Sequence, residues 1–186
     1  ECSRNQYLSS PGQEGTLEPR AVVFAGSDDY QANIDNPALG IDESCILVMR
    51  GAGPLGWPGS STVVALPPPD ALIQRGITTL PTLSDGRQSG TSASPSILNV
   101  SPESAAGGGL SWLQTGDVIR IDLNARSCNA QVSEAEIARR KQTLPAPPIP
   151  ASHSPWEELF REKTGQLSEG ATLEFALKYR AIAQKT

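Results

Sequence analysis

The sequence predicts one α/β domain built on a barrel or sandwich rather than a doubly wound sheet. Three observations carry that expectation. The chain has 186 residues, the size of one ordinary domain and long enough to bury a core without a metal or disulfide staple. Its apolar runs are short and bounded by turn residues, with brief helical patterns scattered among them instead of long crossover helices. Its 17 glycines and 16 prolines mark a loop-rich fold, yet 38% of residues are hydrophobic, enough for a core.

Residues 1–19 are polar and turn-rich and read as a lead-in segment. Arg20 to Gly26 (RAVVFAG) is an apolar run closed by glycine, a buried strand. Ser27-Asp28-Asp29 caps a short helix to about Ile34, stopped by Asn36-Pro37. Cys45 to Arg50 (CILVMR) is a second buried strand, followed by the glycine- and proline-rich loop from Gly51 to Ser61. Three prolines at 67–69 lead into a helix from Asp70 to Arg75 that Gly76 ends. Ile77 to Leu83 is strand-like, with Pro81 placing it at an edge or bulge.

Val118 to Leu123 alternates, setting Ile119, Ile121 and Leu123 against Val118, Arg120 and Asp122, and Ser127 to Val132 is its hairpin partner. Ser133 with Glu136 forms a capping box, and Ser154 with Glu157 forms a second with Pro155 at the first helical position. A last helix is expected from about Glu169 to Gln184. The main domain thus runs over 20–144, and 145–186 is a proline linker (PAPPIP) with C-terminal helices packed on it.

Charge and composition remove several classes of function. Fifteen basic against 20 acidic residues give a net charge of −5, which argues against a phosphate-tracking nucleic-acid surface and a polybasic membrane patch. The apolar runs are far shorter than the ~20 residues of a membrane helix. Cys2, Cys45 and Cys128 are an odd number without CxxC spacing, so neither a disulfide framework nor a four-thiolate site is expected, and a reducing compartment is. The start Glu1-Cys2, without an initiator Met, is that of a fragment or processed product.

Two loops carry candidate chemistry. Gly51-Ala52-Gly53-Pro54-Leu55-Gly56 matches GxGxxG after a strand, with Asp70 downstream as a dinucleotide site would want. That motif needs a long helix directly after it. Pro58 and the prolines at 67–69 leave no room for one, so the glycines read as a tight loop whose backbone approaches a ligand or another loop. The second loop, Ser84 to Ser94, gathers hydroxyls, Asp85, Arg87 and Gln88 between apolar segments. It suits an anionic, hydroxyl-rich ligand, or a solvated turn. No His or Cys neighbours Ser89 in sequence, so a hydrolase triad has no local support. His153 reads as a surface residue, Trp112 and Trp156 as packing residues, and Glu134, Glu136, Arg139 and Arg140 as an exposed helical face.

The second loop also carries a resemblance. Asp85-Gly86-Arg87-Gln88-Ser89-Gly90-Thr91, followed by SPSILNVSPESAAGGG (Ser94 to Gly109) and TGDVIRIDL (Thr115 to Leu123), closely resembles the C-terminal domain of the dihydroxy-acid dehydratase/6-phosphogluconate dehydratase family. Arg20 to Phe24, Asp28-Asp29-Tyr30, Gly53-Pro54 and Pro58-Gly59 fit it in the same order. Gln88, Thr91, Ser154 to Glu158 and Gly165-Gln166-Leu167 resemble most its sugar-acid branch, the arabinonate and xylonate dehydratases.

The resemblance implies a β-barrel-like swivelling domain with peripheral helices and a helical C-terminal tail. It implies a hydro-lyase that converts a 2,3-dihydroxy acid to a 2-keto-3-deoxy acid. An iron–sulfur cluster, of the 2Fe–2S kind, and Mg²⁺ serve the parent enzyme, with cluster cysteines and most Mg²⁺ ligands in an N-terminal domain outside this chain. Neither group is expected on this chain alone, which should be inactive by itself. Ser89 stands at the position of the base that takes the C2 proton, and Arg87, Gln88 and Thr91 at substrate-contacting positions. Thr62 stands where the family carries a metal-binding Glu, three residues after Pro-Gly. That substitution motivates the alternative expectation, a non-catalytic scaffolding or interaction domain of a degenerate homologue. The implied partners are the N-terminal cluster-binding domain, a sugar acid and further copies of the enzyme, with no nucleic acid or membrane. The implied compartment is the cytoplasm, or the mitochondrion in a eukaryote.

Overall fold

A computed structural model describes residues 15–58, 65–87, 94–144 and 149–179. Its fold is mixed α/β. Strands β1 (Thr16–Leu17), β2 (Arg20–Phe24), β3 (Cys45–Met49), β4 (Thr82–Ser84), β5 (Ser96–Ile97), β6 (Ile119–Asp122) and β7 (Ser127–Ala130) alternate with helices α1 (Ser27–Asn33), α2 (Asp70–Ile73), α3 (Glu134–Thr143) and α4 (Pro155–Lys163). The strands form two sheets, and no closed barrel is seen among the described residues. One sheet is parallel, in the order β2-β3-β4-β5; the other is antiparallel, in the order β1-β6-β7. They meet where Arg20 bridges Val118. The parallel sheet runs in sequence order without a reversal, as a sheet that is not doubly wound should.

Strand periodicity splits the core in two. Val22, Phe24, Cys45, Leu47 and Met49 face one side and pack with Leu72, Leu80 and half-buried Tyr30 and Ile34. Ala21, Ile46, Val48 and Leu83 face the other and pack with Leu110, Leu113, Ile119 and Ile121. Every residue of β3 is therefore buried, which explains why CILVM is an unbroken apolar run. Each of its larger side chains contributes about 1.5–3 kcal/mol by leaving water. Among the described residues, no helix is long and apolar enough to cross a membrane.

Several expectations are corrected. The run from Ile77 to Leu83 supplies only two strand residues, Thr82 and Leu83, of a strand that ends at Ser84, because Pro81 has no N–H to extend the ladder. Leu123 is exposed although Ile119 and Ile121 are buried, since β6 ends at Asp122 and the chain turns. The tail is not one helix within 167–179: Leu167–Glu169 and Glu174–Tyr179 are 3₁₀ turns. Left-handed Gly170 and Ala171 separate them, a conformation a right-handed helix cannot contain. Trp156 is 78% exposed and packs in no core. Arg140 leaves the exposed face of α3 and is buried, its guanidinium forked onto Asp117 at 2.6 and 3.0 Å. Ser133 and Ser154 cap their helices by accepting from the N–H groups of Glu136 and Glu157, while the glutamates bond elsewhere: Glu136 takes Arg139 and Arg140, and Glu157 accepts from His153 N–H.

Candidate active site

Neighbouring parallel strands deliver their following loops to the same sheet edge. β3 and β4 pair in parallel with Met49 opposite Ser84, so the glycine loop after β3 and the Asp85 loop after β4 start side by side. The sequence gives no hint of this adjacency, since 34 residues separate Gly51 from Asp85.

Asp85 joins the two loops. Its carboxylate is fully buried and accepts from the backbone N–H of Gly51 at 3.2 Å and of Ala52 at 2.9 Å. It also accepts from the N–H and the hydroxyl of Ser104, at 2.8 and 2.6 Å. Four donors from two other segments thus converge on one anion, which offsets its loss of hydration. The chain just around it is pinned as well. Ser84 Oγ accepts from Gly86 N–H at 2.9 Å, Gly86 C=O accepts from Asn99 N–H, and Ser84 C=O from Val100 N–H.

Glu103 holds the far half of the glycine loop. Also fully buried, it accepts from Leu55 N–H at 3.0 Å, from Gly56 N–H at 3.1 Å and from the Gln166 side-chain amide at 3.0 Å. A Cβ on Gly53 would lie 2.5 Å from Glu103 Oε2, so only glycine admits the carboxylate there. Arg161 of α4 donates from Nε to Leu55 C=O at 3.0 Å. The glycine-rich motif does bind anions through backbone N–H groups, but they are the protein's own carboxylates. Of the two readings the sequence leaves open for this loop, its described part takes the approach to other loops.

Beside the glycine loop opens a cavity of about 810 Å³, bordered by Val23, Gly26, Trp57, Leu113, His153 and Arg161. Arg50 also lines it and donates to the carbonyls of Leu110, Ser111 and Leu113 at 3.2–3.4 Å. Burial lowers the Arg50 pKa, against the opposing pull of the Asp29 and Asp85 charges. Trp57, among the lining residues, is 36% exposed, and His153 is exposed as expected.

Of the predicted site residues, Arg87 is exposed at the described end of its loop. Gln88, Ser89, Thr91 and Thr62 lie outside the described residues. Sequence reasoning missed Asp85, Glu103, Ser104 and Gln166 as the frame of the site. The available signal was the glycine loop itself, a run of backbone donors that needs buried acceptors. Among the described residues, no three His, Cys, Asp or Glu side chains gather as a metal-holding group. The Cys45 thiol is buried and occupied, with Arg20 at 3.1 Å and Asp42 at 3.4 Å, and burial pushes its pKa up. The described part of the chain therefore does not fit an iron–sulfur cluster or Mg²⁺ by itself.

Comparison with known proteins adds the following. Residues 9–171 match the family model described as dihydroxy-acid/6-phosphogluconate dehydratase C-terminal. The chain is 63% identical over 183 residues to a D-xylonate dehydratase of Caulobacter vibrioides, covering 98% of this chain and 30% of that one. It is 38% identical to an L-arabinonate dehydratase of Rhizobium leguminosarum, covering 84% of this chain and 27% of that one. A dihydroxy-acid dehydratase of Campylobacter jejuni is 33% identical over 87% of this chain and 28% of its own length. The chain thus spans about 30% of the length of such relatives.

Proposed function

The chain belongs to the dihydroxy-acid/6-phosphogluconate dehydratase C-terminal family, and from that premise we propose that it is the C-terminal portion of a sugar-acid dehydratase. The reaction removes water from a 2,3-dihydroxy acid to give a 2-keto-3-deoxy acid. A base takes the C2 proton, the C3–O bond breaks, the hydroxyl leaves with a proton as water, and the resulting enol ketonises. The observation that carries the proposal is the 63% identity to a D-xylonate dehydratase over 98% of this chain.

Ser89 is the base in this reading, and Arg87, Gln88 and Thr91 contact the substrate. Serine is a weak base at its ordinary pKa, so positive charge must hold it deprotonated. The described residues assemble no donor set for the metal groups, and the Lewis-acid part of the chemistry belongs to an N-terminal domain of a longer protein. This chain supplies the base loop, and the buried Asp85 and Glu103 frame that supports it. The test is keto-acid formation by the full-length protein, purified anaerobically, against a panel of pentonic and hexonic acids. Ser89→Ala should abolish turnover and leave the cluster spectrum unchanged; retained turnover would remove Ser89 from the role of base. The second reading, a non-catalytic module of a degenerate homologue, rests on Thr62 alone.

A further inference from the structure

We propose that Asp85 is a positioning residue for the dehydration: it locks the root of the loop that carries Ser89 to the root of the glycine loop, so that the two act as one unit. The inference rests on the reading of Ser89 as base and goes beyond it, since the fully buried Asp85 carboxylate is engaged by four donors of the protein itself.

The geometry is more specific than folding requires. A buried side chain that only filled space here would be apolar or neutral, because burying a carboxylate carries a large desolvation cost. Asp85 is instead an anion with 0% exposure. Its two oxygens divide the work: Oδ2 accepts from Gly51 N–H, Ser104 N–H and Ser104 Oγ, and Oδ1 accepts from Ala52 N–H. Oδ1 is thus the connection to the second residue of the glycine loop. Asparagine retains one acceptor oxygen and presents an NH₂ group in place of the other. Set to keep the three bonds of Oδ2, it retains the Gly51 link but aims that donor at the Ala52 N–H, turning the second of the two links to the glycine loop into a repulsion without changing side-chain size. Ser89 follows Asp85 by four positions, and in the proposed role a shift at the root reaches the base.

The experiment is steady-state kinetics of Asp85→Asn and Ser104→Ala in the full-length, cluster-loaded dehydratase, with turnover expressed per folded molecule and folding followed by near-UV circular dichroism. A displacement of the order of an ångström at a reacting group costs about 100-fold in rate. Asp85→Asn is expected to lower kcat by about that factor, with KM within about threefold and an unchanged cluster spectrum. Ser104→Ala, which deletes one donor to Asp85 and the Oγ that also accepts from Gly51 N–H at 2.8 Å, is expected to lower kcat about tenfold. It carries the test if Asp85→Asn does not fold. A merely structural Asp85 would reduce the folded fraction and leave kcat per folded molecule unchanged; that outcome, or a loss carried by KM, overturns the proposal. Ser89→Ala is run beside them. If it retains turnover, the reading of Ser89 fails and the positioning role with it. If it is inactive while folded Asp85→Asn or Ser104→Ala turns over at the wild-type kcat, only the positioning role fails.

Discussion

Glu103 and Gln166 hold each other in both directions across 63 residues of sequence. The Gln166 side-chain amide donates to the Glu103 carboxylate at 3.0 Å, and the Glu103 backbone N–H donates to Gln166 Oε1 at 3.0 Å. The segment after α4 is thereby attached to the same carboxylate that organises Leu55 and Gly56. With Arg161 on the Leu55 carbonyl, the C-terminal part of the chain becomes a wall of the glycine loop and not an appendage.

The glycine loop should be as sensitive to added volume as to lost charge. Gly53→Ala forces a methyl against Glu103 and is expected to destabilise the chain by about 1–3 kcal/mol. Glu103→Ala strands the Leu55 and Gly56 N–H groups and the Gln166 amide and should cost about as much or more. Because Glu103→Ala removes Oε2 and Cδ, two of the three atoms that Gly53→Ala strikes, and leaves only Cβ, the double variant should be more stable than the sum of the two effects by about 0.5 kcal/mol or more. Urea unfolding of the four proteins measures this coupling, and simple additivity would contradict the contact.

Arg140 and Asp117 form a bidentate pair at about 10% side-chain exposure on both partners. The hydrogen bonds to Asp117 and then to Glu136 raise the Arg140 pKa, so it stays charged at any ordinary pH. Arg140→Ala leaves the Asp117 carboxylate nearly buried without its cation and is expected to cost about 3 kcal/mol in urea unfolding. An effect below ~0.5 kcal/mol would match the exposed helical face that the sequence suggested for this residue.

Tyr30 predicts an alkaline limit. Its hydroxyl donates to Pro67 C=O at 2.7 Å, and burial, helped by the charge of Asp35, pushes its pKa up to about 12. A phenol that loses its proton more easily unfolded than folded contributes stability that is complete below about pH 10. That contribution falls as pH rises through about 12. Tyr30→Phe should cost about 1 kcal/mol near neutrality and flatten the decline of stability between pH 10 and 12. Unfolding curves across that range, with phenolate absorbance as a second readout, test it.

Thr62→Glu tests the proposed departure from the family pattern. A carboxylate raises the charge offered to a hard cation, so in the full-length protein the variant should bind Mg²⁺ more tightly, on the order of tenfold. Keto-acid turnover at saturating Mg²⁺ should stay within about threefold if the natural chain is active. Activity that emerges only in Thr62→Glu would instead support the degenerate, non-catalytic reading.

What was legible in the sequence were the features written in consecutive residues. The unbroken run Cys45 to Met49, the alternation of Ile119 and Ile121, and the serines at the two N-caps each announce their own local structure. The frame of the site was not legible, because it is made between residues such as Asp85 and Ala52, or Glu103 and Gln166, whose proximity follows from strand order. Asp85 sits inside the motif that carries the family resemblance, yet nothing local distinguishes a buried acceptor from a solvated aspartate. Arg140 was misread for a similar reason: its neighbours on α3 are charged, while its partner lies 23 residues earlier.

The bridge between Arg20 and Val118 has a consequence for how this chain meets other chains. On the side of β2 away from β3, Ala21 exchanges backbone bonds with Asp117 and Gly116, and Val23 N–H is taken by Thr115 Oγ. That border of the parallel sheet is already occupied from within. At the opposite border β5 is only two residues long. Among the described residues, the parallel sheet thus offers a passing strand no long run of open backbone groups to pair with. Natural proteins resist edge-to-edge aggregation in this way, and here the guard is supplied by the same short segment that joins one sheet to the other.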